Sequence, residues 1–312
     1  MVQENVSGIE VALRFDDLRY TSVMSSRRKA LYSFLSLAAL LASSSPRAQS
    51  TETDVDLELV LAVDASRSMA PYEQKIQRDG YVAAFRRKEV IDAIDEGVHG
   101  RVAIIYVEWA GSTLQRIIVP WTLVDSAESA AKLAAKLDQP IPPTQSRTSI
   151  SGAIDFSSTL FDNNGFKGKR TVIDISGDGV NNIGRPVTEA RHRALAKGIT
   201  INGLPVMTRD DLSADWAVDL DIYYSNCVIG GPGAFMIPVI SWDQFPQVVR
   251  RKLVLELAGD VPTMHETNRP ILQKADGRPS EELPIVLAQK SENNCLSGER
   301  IWRQRMQDRE FP

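Results

Sequence analysis

Histidine and cysteine are scarce: the 312 residues include three His and two Cys, Cys227 and Cys295. That excludes a zinc centre of the usual thiolate and imidazole kind, so any metal held by this chain needs oxygen ligands. Charge of one sign is missing too. With 36 basic against 40 acidic residues and a net charge of -4, no basic field exists to recruit nucleic acid or an anionic membrane, and neither is expected as a partner. No G-x-G-x-x-G follows the first predicted strand, which removes a dinucleotide site, and the absence of a G-x-S-x-G elbow argues against a serine hydrolase. His99, His192 and His265 fall in a predicted loop, an exposed helix face and a tail, and read as surface residues.

Apolar runs long enough to cross a bilayer are lacking as well. The longest candidate, Ala30 to Ala42, is too short for a spanning helix. It follows Arg27, Arg28 and Lys29 and precedes Ser43, Ser44, Ser45 and Ala48, the order of a secretory signal, so residues 24–50 are expected to be a signal peptide. Cleavage is open between the small pairs Ala42/Ser44 and Ala48/Ser50, and an uncleaved anchor or a buried helix is the competing reading. Because such a signal starts at the initiator, Met24 is the expected start and residues 1–23 an upstream extension. The mature chain is then periplasmic or secreted, without membrane insertion. Export permits a Cys227–Cys295 disulfide, and two buried thiols fit the sequence equally well.

What is present, 43% hydrophobic and 24% charged residues, fits one large α/β domain with tails. Short β-branched runs alternate with helical patterns between 54 and 259, the signature of a doubly wound, mostly parallel sheet with helices on both faces. Strands are predicted at 57–63, 101–109, 115–119, 170–176, 199–205 and 235–239. The first reads L-E-L-V-L-A-V, as a strand buried on both sides should. The second and third are too close for a helical crossover and are expected to form a hairpin with one antiparallel edge strand. Apolar stripes predict helices through Ile76–Ile94, Ser126–Leu137 with Asp125 as cap, from Ser149 through Leu160, from Pro186 to Gly198, and through Phe245–Leu257. Gly230, Gly231 and Gly233 around Pro232 read as a turn. Residues 260–312, rich in proline and charge, are expected to be a weakly ordered tail with one short helix near Glu299–Gln307.

The first strand ends in D-A-S-R-S, which sends Asp64, Ser66 and Ser68 off the carboxyl edge of the sheet, where open α/β folds place their ligands. Thr148, just before a helix, and Asp178, just after a buried strand, should reach the same edge. Two carboxylates and three hydroxyls form a hard, all-oxygen set suited to Mg²⁺, Mn²⁺ or Ca²⁺. Two negative charges against two positive ones leave such an ion electrophilic. A vacant coordination position can then take a carboxylate from another molecule.

The D-x-S-x-S, Thr and Asp signals, in this order, resemble the metal-ion-dependent adhesion site of the von Willebrand factor type A family, over roughly Asp56–Gly259. The resemblance implies a Rossmann-like fold, direct ligation by Ser66, Ser68 and Thr148, and action of Asp64 and Asp178 mainly through bound water. It implies a binding domain rather than an enzyme, with a protein ligand presenting an acidic residue. I-S-G-D-G-V-N-N and N-C-V-I-G-G-P-G resemble a bacterial subgroup of such domains whose function is unknown. In the family's pattern D-G directly follows Thr or Ser; here Gly177 stands between Ser176 and Asp178.

Two rival readings use the same residues. G-D-G-V-N-N also resembles the last magnesium motif of haloacid dehalogenase-type phosphotransferases, with Asp64 as nucleophile. That chemistry needs a carboxyl group two residues on as general acid and base, and Ser66 stands there. The other rival is an interaction module of the same fold with a vestigial metal site. Around the site, Trp109 and Met69 read as packing residues that would also reach the rim. Arg67 and Arg147 are either solvated or set beside a ligand carboxylate. Asn181 and Asn182 are expected to shape the turn after Asp178 through their own backbone.

Overall fold

The computed structural model describes residues 52–208, 219–259, 285–288 and 294–310. The expected upstream extension, the signal segment and most of the tail lie outside the described residues, and no described helix is long and apolar enough to cross a membrane.

In chain order the domain runs β1 (Thr53–Asp64), α1 (Pro71–Phe85), α2 (Lys88–Asp95), β2 (Val102–Trp109), β3 (Gln115–Val124), α3 (Ala127–Leu137), α4 (Ile150–Thr159), β4 (Phe166–Gly177), α5 (Val187–Ala196) and β5 (Thr200–Pro205). It continues with α6 (Leu220–Tyr223), a π-helical turn (Tyr224–Val228), β6 (Phe235–Met236), α7 (Phe245–Ala258), β7 (Val286–Leu287) and α8 (Ser297–Glu310). The seven strands form one sheet in the order β3-β2-β1-β4-β5-β6-β7. β1 pairs in parallel with both β2 and β4, so the chain reverses direction across the sheet at the carboxyl end of β1. β3 is the expected antiparallel edge strand on β2, and the two-residue β7 adds an antiparallel pairing with β6 at the other edge.

The near-continuous apolar run of β1 is explained by the two cores it separates. Leu57, Leu59, Leu61 and Val63 face Tyr81 and Phe85 of α1, Ile94 of α2, Leu133 of α3 and the α7 stripe Phe245, Val249, Leu253 and Leu257. Val60 and Ala62 point the other way, into Ile150 and Ile154 of α4, Val187 and Ala190 of α5 and Tyr224 of the π-turn. The predicted stripe through Ile76–Ile94 is two helices. The break falls at Arg86–Arg87, where Arg87 is extended and caps α2. β6 is shorter than expected because Pro205 of β5, lacking an N–H, cannot donate to the Ile237 carbonyl; Ile237 and Val239 still donate to the Gly203 and Pro205 carbonyls, and Val239 makes only an isolated bridge to Val206. The cap of α3 is Ser126, whose hydroxyl accepts from the Ser129 N–H; Asp125 instead accepts from the Ser126 and Ser129 hydroxyls.

Beneath the sheet, α7 is pinned by charge. Lys252, 1% exposed, pairs with Asp174 of β4 at 2.9 Å and with Glu256 one turn on, and Asn202 of β5 donates to Glu256 at 3.0 Å. Burial, and then the Asp174 charge, push the Glu256 carboxyl up from 4.5 to about 7 against the pull of Lys252. A folded-state pKa above the unfolded one means that the fold holds a proton which the unfolded chain has already released. The contribution of this group therefore falls as pH rises from about 4.5 through about 7 and levels beyond. Asp174 is shifted upward as well and adds in the same sense. Glu256→Gln is expected to flatten the decline of the thermal midpoint between pH 5 and pH 8; an unchanged slope would place the titration elsewhere.

Candidate functional site

The carboxyl ends of β1 and β4 lie side by side, and the five oxygen-bearing residues leave this edge. Asp64 is the last residue of β1 and fully buried. Its Oδ1 accepts from the Ser66 N–H at 2.7 Å, an Asx-type turn that folds the loop back over the strand end. The Ser66 and Ser68 hydroxyls are 2.7 Å apart, and Ser68 donates to Asp178 Oδ1 at 2.8 Å. Four of the five residues thus form one hydrogen-bonded chain.

Thr148 joins from a third loop. Its N–H donates to the Asn182 side-chain oxygen at 3.0 Å, and its carbonyl accepts from the Asn182 N–H at 2.9 Å. Its hydroxyl faces Gly179, where an added Cβ would lie 3.7 Å away. The paired asparagines do more than shape their own turn. Asn181 Nδ2 donates to the Arg185 carbonyl, as a local turn requires, but its Oδ1 accepts from the Ser151 N–H at 2.9 Å at the start of α4. Together Asn181 and Asn182 join the Asp178 loop to the Thr148 loop. The second asparagine of G-D-G-V-N-N is thereby committed to backbone contacts.

Other elements hold the three loops in place. Gln77 of α1 donates to the Asp64 carbonyl at 3.1 Å. Arg78, 4% exposed, pairs with Glu108 of β2 at 2.6 Å and donates to the Gln139 carbonyl at 2.7 Å, anchoring the start of the segment that leads to Thr148. Further along that segment, Gln145 accepts from the Arg67 N–H at 2.8 Å and Thr144 donates to the Ala65 carbonyl. Arg147 has φ of 81°, a left-handed conformation that costs a non-glycine residue about 1–3 kcal/mol. Trp109 and Met69 are buried, as packing residues.

Gly177, the residue that interrupts the family's pattern, ends β4 where the space is tightest. A Cβ there would lie 3.0 Å from both Asp64 Oδ2 and the Tyr224 hydroxyl and 3.3 Å from the Trp109 ring. Among the described residues, Asp64 Oδ2, the Tyr224 hydroxyl and Trp109 Nε1 are buried without a hydrogen-bond partner. Burial, then the nearby Asp178 charge, push Asp64 from 3.8 up to about 8, although hydrogen bonds from Ser66 pull the other way. Burial, then Asp64, push the Tyr224 phenol well above its ordinary range. Two carboxylates in a desolvated corner, one with an unsatisfied oxygen, favour a cation between them electrostatically. Three or more His, Cys, Asp or Glu side chains do not cluster among the described residues; the donor set is two carboxylates and three hydroxyls, which suits a hard divalent ion.

Tyr224 was not identifiable from the sequence as part of this corner, because it lies in a π-turn 46 residues after Asp178, just ahead of the N-C-V-I-G-G-P-G stretch and outside it. Gly177→Ala is expected to cost about 1–3 kcal/mol through overpacking. Tyr224→Phe, which removes a buried hydroxyl without a partner, should be neutral or stabilising in metal-free protein. In the double variant the phenyl ring leaves room for the new methyl, so the cost of Gly177→Ala should shrink. Strict additivity in urea unfolding would show that the three groups do not share one space.

The family model described as "Protein of unknown function (DUF1194)" matches residues 54–261. No curated protein matches the chain in sequence. Among solved structures it is similar to proximal thread matrix protein 1 from the mussel byssus "with zinc occupied MIDAS motif", at 17% identity and TM-score 0.45, over 66% of this chain and 49% of that one. It is similar to the pilus adhesin SpaC from Lactobacillus rhamnosus GG, at 13% identity and TM-score 0.49, over 68% and 32%. A von Willebrand factor type A structure from Catenulispora acidiphila follows at 13% identity and TM-score 0.40, over 66% and 42%. The chain spans about half or less of the length of these structures. The chain belongs to the DUF1194 family, and its domain is built on a doubly wound, mostly parallel α/β sheet.

Proposed function

We propose that this domain is an exported binding module that holds one divalent cation, Mg²⁺ or alternatively Mn²⁺ or Ca²⁺, at Asp64, Ser66, Ser68, Thr148 and Asp178. The observation that carries this reading is the buried Asp64 carboxyl, linked through Ser66 and Ser68 to Asp178, with one oxygen left unsatisfied. Without a cation the two carboxylates repel and Asp64 keeps a proton near neutral pH; with one, both charges are compensated. Ser66, Ser68 and Thr148 supply neutral hydroxyl ligands. The bound ion keeps enough electrophilicity to accept a carboxylate from a partner protein, which would be the main source of binding energy.

The module is not an enzyme in this reading. Ser66 occupies the place a general acid would need, and the nearest other carboxylate, Asp178, is engaged by the Ser68 hydroxyl. The signal-like segment at 24–50 supports a periplasmic or secreted location, and the Cys227–Cys295 disulfide fits an oxidising compartment.

Isothermal titration with Mg²⁺ and Mn²⁺ should give saturable binding to the wild type and binding at least about tenfold weaker to Ser66→Ala, the size of effect that altered metal surroundings usually have. Absence of heat in both proteins would sink metal binding. Affinity capture from an envelope extract, with and without chelator, should return partners that are lost with chelator and lost with Asp64→Ala. Partners indifferent to both would count against the carboxylate mechanism.

A further inference from the structure

Beyond Gly259 the chain returns to the site. Cys295 is bonded to Cys227 of the π-turn, with Cα atoms 5.4 Å apart, and α8 starts two residues later. Gly298 packs so closely on the Asp178 loop that a methyl group there would overlap the Asn181 carbonyl. Glu299 accepts from Asn181 Nδ2 at 2.8 Å. One turn on, the Trp302 ring lies 3.9 Å from the Arg147 guanidinium. These contacts fall three residues from Asp178 and one from Thr148, so a partner reaching the metal-site loops meets α8.

The inward face of α8 is spent on these contacts, and its outward face is basic. Arg300 and Arg303 are exposed; Arg300 donates to the Asn294 side chain and Arg303 to the Glu299 carbonyl, each at 3.3 Å, and the half-buried Glu299 carboxylate near both offsets part of their charge. Arg67 is exposed between Ser66 and Ser68, and the Arg147 guanidinium stands over Trp302. In a chain of net charge -4 this is a local concentration of positive charge beside the candidate cation. Arginine recognises carboxylates bidentately, and a ring of such groups selects by charge complementarity.

We propose that α8 and the metal-site loops form one composite docking face, and that the face fits an acidic segment of a partner protein bearing several carboxylates. One carboxylate would go to the cation and the others to Arg300, Arg303 and Arg67. This rests on the metal-dependent reading above.

The test uses the full oxidised chain with Mg²⁺ and a fluorescein-labelled peptide of four alternating Asp and Gly pairs, against the same peptide with three Asp replaced by Asn. By fluorescence anisotropy the four-Asp peptide should bind about tenfold or more tightly than the single-Asp peptide, lose affinity as salt rises, and lose it with chelator. The surface double variant R300E/R303E should abolish that advantage, while a cooperative thermal transition and a saturable Mg²⁺ titration check that the fold and the cation site persist. Trp302→Ala should reduce the advantage by loosening the contact with Arg147. Equal four-Asp binding by R300E/R303E, still sensitive to chelator, would overturn the composite face and leave metal-dependent binding standing. Peptide binding indifferent to chelator would overturn both. Metal-independent binding to phosphatidylglycerol–phosphatidylcholine vesicles, lost in the double variant, would make α8 a lipid-facing helix and overturn the proposal.

Discussion

Everything at the candidate site depends on where a carboxylate is put: Asp64 ends a strand that is buried on both faces. Apolar packing against two cores fixes β1 so firmly that its last side chain cannot swing out to solvent to escape desolvation. Asp178 leaves the adjacent strand and meets it through two serine hydroxyls. The fold thus uses burial of hydrocarbon to hold an electrostatic conflict in place. In a flexible loop the same residues would simply separate and hydrate.

The three loops that share this corner come from distant parts of the chain, and their coupling is mostly to backbone. Asn181 and Asn182 reach the start of α4, Gln77 reaches the end of β1, and Arg78 reaches the Gln139 carbonyl from a buried pair with Glu108. The bonds made by Gln77 and Asn181 are buried, and shortening either side chain would leave a buried backbone group unsatisfied. On the far side of the sheet the Lys252, Asp174 and Glu256 cluster fixes α7 in the same way.

The parts of the fold that were legible in the sequence are those written in long apolar patterns. L-E-L-V-L-A-V announces β1 because both of its faces are buried, and Phe245, Val249, Leu253 and Leu257 announce α7 because one face is. The strand-end D-x-S-x-S was legible for the same reason: it follows directly on such a run. What was not legible depends on contacts across long separations. β7 has two residues and no pattern, and nothing in the proline- and charge-rich stretch around it marks an edge strand. Tyr224 reads as another buried aromatic until Gly177 is seen beside it. Asn181 and Asn182 carry a signal for a turn, and sequence alone cannot tell a bond to their own backbone from one to a neighbouring loop. The helix near Glu299 was visible as a helix, but its contacts with Asn181 and Arg147 were not.

The bond between Cys227 and Cys295 closes a loop of 68 residues, from the π-turn beside Tyr224 to the start of α8. A single proteolytic cut anywhere inside that loop therefore leaves α8 covalently attached to the domain, as a two-chain molecule. Thiol reduction after such a cut would leave the helix held by its packing alone, with Gly298, Glu299 and Trp302 as its described contacts to the site loops. The chain is thus built so that nicking alone does not detach its carboxyl-terminal helix.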